Sequence, residues 1–224
     1  MNDILFPFGL IILAGVAFRR FRMGGLDADS LRLAINVSVF NLFLPSLCIK
    51  ITATSVMDRE AVLVPATAWL SIVLAMALSF ALYTILEKGM HLDRREKGVL
   101  ILASAFGNVT YLGLPVLTGL YGPGAAKYAL YYDLLAATPL LWLAGAPLAS
   151  RYGKNKGFSV RESLLTITSL PPLWGIAIGA LLNLARIPLP PFILKTLGML
   201  GDLVVPLMIF SIGLALSLPR VRHA

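Results

Sequence analysis

The stretch that decides the fold is SAFGNVTYLGLP at residues 104–115, inside a run without charged residues from 98 to 126. Such a run is long enough to cross a membrane as a helix. Its centre nevertheless holds polar and helix-breaking residues, namely Asn108, Thr110, Gly113 and Pro115. A membrane helix is interrupted only where protein or a water-filled cavity can satisfy the freed backbone groups. The stretch therefore predicts a broken membrane helix of the kind that forms a transport site.

The composition places the whole chain in a membrane. Its 224 residues are 58% hydrophobic and 13% charged, with a mean hydropathy of +0.84, whereas soluble domains carry about 25% charged residues. The net charge of +8 does not indicate a nucleic-acid partner, because the basic residues lie in short loops and form no continuous stripe. We therefore predict an all-α integral membrane protein whose main partner is the lipid bilayer.

Seven apolar segments predict seven transmembrane helices. They cover residues 4–18, 29–51, 59–86, 96–121, 125–149, 163–185 and 191–218, and the fourth contains the broken stretch. The N-terminus has neither the basic region nor the cleavage site of a signal peptide, so we expect the first segment to remain as a helix.

The distribution of basic residues predicts the orientation. The odd-numbered loops with their flanks and the C-terminal tail hold Arg19, Arg20, Arg22, Arg32, Lys88, Arg94, Arg95, Lys97, Arg151, Lys154, Lys156, Arg161, Arg220 and Arg222. The alternate loops hold Lys50, Arg59, Lys127, Arg186 and Lys195. Because basic loops stay in the cytoplasm, we predict a multi-pass protein of the cell (inner) membrane. Its N-terminus lies outside and its C-terminus is cytoplasmic.

The sequence offers little material for catalysis or metal binding. Cys48 is the single cysteine and lies inside a span, while His91 and His223 lie in polar segments. No HExxH motif and no glycine-rich phosphate loop occurs, and no nucleotide-binding domain is present. We predict a protein that is not an enzyme, without catalytic residues, metal or cofactor.

The second and seventh segments resemble each other. Asn41 precedes Pro45 by four residues, as Asp202 precedes Pro206, and an apolar run follows each proline. The seventh segment comes five segments after the second. Because five is an odd number, the two copies face opposite ways in the membrane, as in an inverted repeat. Chance similarity between two proline-kinked helices is the alternative.

The chain resembles the auxin efflux carrier family of membrane transporters, chiefly its bacterial members. Three blocks carry the resemblance, at residues 36–46, 108–122 and 201–216. The resemblance implies ten helices in two inverted repeats. Helices one, two, six and seven would form a scaffold, and helices three to five and eight to ten a mobile transport domain. Helices four and nine would cross at their breaks and bind an organic anion, which an elevator-type movement carries across.

The resemblance divides this chain into one complete repeat and part of another. We expect a single membrane domain over 1–224, with a first five-helix repeat at 1–150 and the first two helices of an incomplete second repeat at 163–218. Helices eight to ten are absent. A fragment, a truncated gene and a true seven-helix protein stay open as explanations, as does inactivity of the chain alone.

The broken stretch has the chemistry of an anion site. Pro115 lacks an N–H and disfavours helical geometry in Leu114, while Gly113 tolerates the dihedral angles of a break. A second half-helix starting at Pro115 would direct free N–H groups and its positive dipole end at a carboxylate. We predict that the substrate is bound by Asn108, Thr110, Gly113 and Pro115. The alternative is a proline-kinked packing helix whose Asn108 bonds a neighbouring helix.

Three further polar residues lie within the apolar segments. Asp133 is costly at membrane depth and is a candidate for coupling transport to protons or sodium, with a structural hydrogen bond as the alternative. Asn41 and Asp202 are expected to make structural hydrogen bonds, with a role in transport as the alternative. Gly175 and Gly179 allow close helix packing, which we consider a basis for a homodimer.

The prediction is a secondary carrier for an organic anion such as a carboxylate. One alternative is a carrier similar to the sodium–bile acid symporters, which use a similar crossover and would require sodium. The other is a non-transporting seven-helix membrane protein that acts as a receptor or structural partner.

Overall fold

The computed structural model describes residues 2–21, 23–55, 59–90, 92–153 and 159–216. It is 88% helix without a strand in those ranges, so the prediction of an all-α protein is confirmed. The helices are α1 (Asn2–Phe21), α2 (Ala28–Thr54), α3 (Glu60–Met90), α4 (Arg94–Ala105), α5 (Leu114–Tyr121), α6 (Pro123–Tyr152), α7 (Val160–Thr168), α8 (Pro171–Leu184), α9 (Pro191–Gly201) and α10 (Val204–Ala215). Arg22, Lys154, Lys156, Arg220, Arg222, His91 and His223 lie outside the described residues.

Four helical segments are long and apolar enough to cross a membrane within the described part of the chain. They are α2, α3, α6 and the continuous segment formed by α9 and α10, and the bent pair of α7 and α8 is a fifth candidate. The count of seven transmembrane helices stays a prediction.

The surface of α3 shows why the helices need lipid around them. Leu78 is 70% exposed and Ile85 is 77% exposed, and apolar residues surround the helix on every side. A helix that is hydrophobic all round is either buried or in a membrane. Since α3 is largely exposed, a bilayer is the solvent that fits it.

Four π-helical turns interrupt the helices, and each ends two residues before a proline. The turns are Val39–Phe43, Val109–Gly113, Asp133–Ala137 and Leu141–Gly145, and the prolines are Pro45, Pro115, Pro139 and Pro147. In three of these turns the residue before the proline donates its N–H to the carbonyl five residues earlier. Because a proline in an α-helix clashes with the carbonyl four residues before it, the wider π turn lets each helix continue.

The sixth predicted helix, 163–185, is wrong as a continuous helix. The structure ends α7 at Thr168 and starts α8 at Pro171. Pro171 and Pro172 both lack an N–H, and a residue before a proline is pushed away from helical geometry. Consecutive prolines therefore start a new helix here, where no π turn compensates.

The chain divides into two compact units. The first comprises residues 1–55, 110–127 and 171–224, and the second comprises 56–109 and 128–170. The first unit thus contains α1, α2, α5, α8, α9 and α10, whereas the second contains α3, α4, most of α6, and α7.

In the first unit α2 is the central helix. Its first half packs against α10, and its second half packs against α8 and α9. Asp27 caps its start by accepting hydrogen bonds from the amide and hydroxyl of Ser30, which lower the pKa of Asp27. Ser211 of α10 donates to the Asn36 side chain over 2.6 Å. Paired polar groups of this kind fix the register of two otherwise apolar helices.

Glycines bring the helices of the first unit into backbone contact. A Cβ on Gly15 of α1 would lie 2.5 Å from the Phe210 carbonyl oxygen and 2.9 Å from Cα of Gly213. A Cβ on Gly175 would lie 2.7 Å from the Pro45 carbonyl oxygen, and one on Gly179 would meet α2 equally closely. The face of α8 that we considered for a second subunit is therefore occupied within the chain, and the homodimer stays a prediction.

Two polar side chains, those of Asn183 and Arg19, cap helix ends in the first unit. Asn183 of α8 donates to the carbonyls of Thr52, Ala53 and Ser55 over 2.9, 3.0 and 2.7 Å. Arg19 of α1 donates to the Leu214 carbonyl over 2.7 Å and pairs with Asp29 over 2.8 Å. Both side chains satisfy carbonyls that a helix C-terminus leaves without partners.

In the second unit, α3 packs against α4 and against the π turn Asp133–Ala137 of α6. Its apolar core is formed by Ile72, Ala105, Ala137 and Leu140. Lys97, which is 7% exposed, forms an ion pair with Glu87 over 2.6 Å. The pair holds the start of α4 against the end of α3.

Candidate functional site

The helix that leads to the candidate site has a well-defined start. Asp93 accepts hydrogen bonds from the amides of Arg95 and Glu96, and Glu96 in return accepts one from the Asp93 amide. This capping box satisfies N–H groups that have no partner in the first turn. It fixes where α4 begins, and hence where its other end lies.

The break follows at Phe106, Gly107 and Asn108. Phe106 has extended dihedral angles (φ −113°, ψ 103°) and donates its N–H to the Leu102 carbonyl. The amide of Val109 donates to the Gly107 carbonyl over 3.1 Å, at the start of the next helical turn. The broken helix is thus present, but its break precedes the predicted position by more than one turn.

The expectation that Pro115 forces Leu114 out of helical geometry is wrong. Gly113 has helical dihedral angles (φ −66°, ψ −43°), and Leu114 begins α5. The π turn Val109–Gly113 accommodates the proline, so the free helix start lies near Val109. A signal for this was present in the sequence: Gly-Asn is a typical turn dipeptide, and the β-branched residues Val109 and Thr110 follow it.

The predicted binding residues differ in their surroundings. Asn108 is exposed and belongs to the second unit, at the break. Thr110 is 3% exposed and belongs to the first unit. It lies in the π turn Val109–Gly113, whose last residue is the predicted Gly113. Pro115 lies in the first turn of α5, also in the first unit. The helix start at Val109 directly follows Asn108 in the chain.

Residues beside Asp133 in the chain pack against the end of α4. Asp133 starts the π turn Asp133–Ala137. Ala137 forms a core cluster with Ala105, against which Phe106 and Tyr132 also pack. The end of α4 and the turn that begins at Asp133 therefore contribute residues to the same core cluster.

Two hydrogen bonds between α3 and α6 lie on either side of Asp133 along α6. Tyr128 donates its hydroxyl to the Glu60 carboxylate over 2.6 Å, and the Trp69 indole donates to the Leu135 carbonyl over 3.0 Å. The hydroxyl of Thr138, directly after the turn, lies 3.5 Å from the Asp133 carboxylate. The sequence analysis missed both contacts with α3. The signal available for the second was Pro139, which cannot donate to the Leu135 carbonyl four residues earlier.

Asn41 and Asp202 lie at irregular points of the first unit. Asn41 is in the π turn Val39–Phe43 and donates its amide to the Val37 carbonyl over 2.8 Å. Asp202 follows α9 in a two-residue turn before α10, and its side chain is exposed. The π turn contacts both α9 and α10, so the two polar residues lie near the same helix crossing.

The charge pattern of the break suits an anion better than a metal. No charged residue occurs from 98 to 126, while the helix start near Val109 directs partial positive charge at the break. Among the described residues, no three His, Cys, Asp or Glu side chains are grouped as metal ligands would be.

Comparison with known proteins points to membrane transporters. The family model described as membrane transport protein matches residues 5–223. An uncharacterized transporter of Methanothermobacter thermautotrophicus is 29% identical over 90% of this chain and 63% of its own length. An uncharacterized transporter of Methanocaldococcus jannaschii is 29% identical over 96% of this chain and 68% of its own length. No solved structure matches the chain.

The chain therefore spans about two thirds of the length of these relatives. The match of the family model over nearly all of the chain agrees with the apolar helices and with the three blocks that carry the resemblance. The chain belongs to the membrane transport protein family of auxin efflux carriers.

Proposed function

We propose that the chain acts in secondary transport of a small organic anion, such as a carboxylate, which binds at the break between α4 and α5. The observation that carries this proposal is the break itself, at Phe106 to Asn108 within an uncharged apolar run. The Asn108 amide offers a donor and an acceptor. The helix start at Val109 adds backbone N–H groups and partial positive charge, which favour a carboxylate.

The division into two units supports an elevator-type movement. The helices expected to form a scaffold, α1, α2 and the segments α8 to α10, belong to the first unit, while α3, α4 and most of α6 belong to the second. There are two exceptions. The segment 110–127 falls in the first unit although the resemblance assigns helix four to the mobile part, and α7 falls in the second unit although the resemblance assigns helix six to the scaffold. Asn108 lies at the end of the segment 56–109 of the second unit.

Matching contacts support the inverted repeat. The alignment that sets Pro45 against Pro206 also sets Ile49 against Phe210 and Thr52 against Gly213. A Cβ on Gly179 would lie 2.8 Å from the Ile49 carbonyl and 2.9 Å from Cβ of Thr52, and one on Gly15 would meet the equivalent residues. Two helix pairs far apart in sequence therefore pack in the same register.

The helix caps follow the same correspondence. Arg19 lies four residues after Gly15, as Asn183 lies four residues after Gly179. Asn183 caps the end of α2 at Ala53, and Arg19 caps the end of α10 at the equivalent Leu214. Different side chains thus cap helix ends at equivalent positions, which supports the descent of both repeats from one ancestral repeat.

Replacing Asn183 with leucine is expected to destabilise the first unit by about 1–3 kcal/mol, because buried carbonyls lose their donor. The measurement is the apparent melting temperature in detergent. Asn41→Leu is the matched control, since the Asn41 amide is exposed and bonds only its own helix. Equal melting of the two variants would show that the Asn183 cap contributes nothing.

Transport itself is tested with the purified chain in proteoliposomes. We expect counterflow of radiolabelled benzoate, succinate or phenylacetate above that of protein-free liposomes, with a pH dependence that Asp133→Asn removes. Absence of counterflow for all three probes would contradict the proposed substrate class. Counterflow whose pH profile is unchanged by Asp133→Asn would remove Asp133 from coupling and leave the anion site in place.

The proposed orientation is tested by cysteine labelling in whole cells. Leu26, in the loop after α1, and Ile187, in the loop after α8, are both 55% exposed. In a Cys48→Ser background, a membrane-impermeant maleimide is expected to label Ile187→Cys and to leave Leu26→Cys unlabelled, because basic loops stay inside. The reverse pattern would invert the topology.

A further inference from the structure

The contact between Trp69 and Leu135 has a specific cause in the chain. Pro139 cannot donate to the Leu135 carbonyl, and Thr138 donates its N–H to the Asp133 carbonyl five residues earlier. An unsatisfied carbonyl is costly inside a membrane. The Trp69 indole N–H lies 3.0 Å from the Leu135 oxygen and supplies a donor from a different helix.

This donor binds the turn that carries Asp133. Leu135 lies in the same π turn as Asp133, two residues later. On the other side of Asp133, Tyr128 donates a hydrogen bond to Glu60 at the start of α3. The segment that carries Asp133 is therefore hydrogen-bonded to α3 at two points.

We propose that Trp69 is a positioning residue whose indole N–H, by holding the Leu135 carbonyl, fixes the π turn that carries Asp133. The inference rests on the proposed function only in so far as Asp133 takes part in transport. The contact and its effect on the turn can be measured without any transport assay.

A double-mutant cycle tests whether Trp69 acts through the carbonyl that Pro139 leaves. Pro139→Ala supplies an N–H that can donate to Leu135 within the helix. Trp69→Phe, which keeps an aromatic ring and loses the N–H, is expected to lower the apparent melting temperature by about 2–4 °C in the natural chain. In the Pro139→Ala background the same change is expected to lower it by less than half as much. An equal decrease in both backgrounds overturns the proposal.

Trp142→Phe is the matched control. Trp142 lies on the same helix as Leu135, in the π turn Leu141–Gly145, and its indole makes no hydrogen bond within the described part of the chain. It should change the melting temperature equally with and without Pro139→Ala. Coupling of Trp142→Phe to Pro139→Ala as large as that of Trp69→Phe would also overturn the proposal.

A spectroscopic measurement tests the effect on Asp133. Infrared difference spectra between the natural chain and Asp133→Asn assign the carboxyl bands of Asp133. We expect these bands to shift in Trp69→Phe and not in Trp142→Phe. Unshifted bands in Trp69→Phe overturn the positioning role. Shifted bands support the positioning role of Trp69 whatever the transport assay shows. If Asp133→Asn leaves transport unchanged, Asp133 has no part in coupling, but Trp69 can still hold the turn.

Discussion

Replacing Gly15 with leucine is expected to abolish stable folding of the first unit. The side chain would have to enter the space held by the Phe210 carbonyl and by Cα of Gly213, which lie 2.5 and 2.9 Å from the position of a Cβ. Both are backbone atoms of α10 and cannot rotate away. Overpacking typically costs about 1–3 kcal/mol, and here we expect the upper end of that range or more. Size-exclusion chromatography and thermal melting in detergent measure the loss.

Gly9→Leu provides the control for this effect. Gly9 lies on the same helix, and no atom stands within 4 Å of a Cβ placed on it. Its replacement gives α1 the same gain in apolar volume and helix propensity without a clash. If Gly15→Leu elutes and melts as Gly9→Leu does, α1 and α10 do not pack as closely as described.

Asn108→Ala is expected to weaken binding of the transported anion by roughly 10- to 100-fold, since a hydrogen bond to a charged group contributes about 1.5–3 kcal/mol. The loss should appear in the concentration dependence of counterflow, while the melting temperature stays close to that of the natural chain because Asn108 is exposed. Binding of benzoate, succinate or phenylacetate, whichever is carried, is the quantity to compare.

Asn41→Ala is the comparison for Asn108. Asn41 is also an exposed asparagine in an apolar helix, but it lies on α2 and not at the break that follows α4. We expect it to leave anion binding within about twofold of the natural chain, a change smaller than one weak hydrogen bond. The assignment of Asn108 is falsified if its alanine variant binds as tightly as that of Asn41.

The candidate site shows where sequence reasoning succeeded and where it failed. The polar interruption of an uncharged run predicted a broken helix, and the structure contains one. Its position was predicted at Pro115 because a proline removes a hydrogen bond. The structure instead breaks at Gly107, since a π turn accommodates Pro115 and the Gly-Asn dipeptide favours a turn. Local propensity at one dipeptide outweighed the stronger-looking signal of the proline.

The α7–α8 break illustrates the opposite outcome. Pro171 and Pro172 follow one another, and the chain breaks before them without a π turn. Single prolines such as Pro45 and Pro139 are instead each preceded by a π turn. Whether a proline bends, widens or ends a helix depends on whether neighbouring N–H groups can shift their bonds by one residue, which the residue type alone does not state.

The sequence by itself determined that the protein is helical, that a membrane surrounds it, and that one apolar helix is broken at SAFGNVTYLGLP. These properties follow from composition and periodicity, because a bilayer accepts apolar side chains only on a backbone that satisfies its own hydrogen bonds. The tertiary structure decided which glycines meet which backbones, and that Trp69 donates to the carbonyl of Leu135. Those features join residues far apart in the chain, and packing and hydrogen bonding between helices, not local sequence, choose the partners.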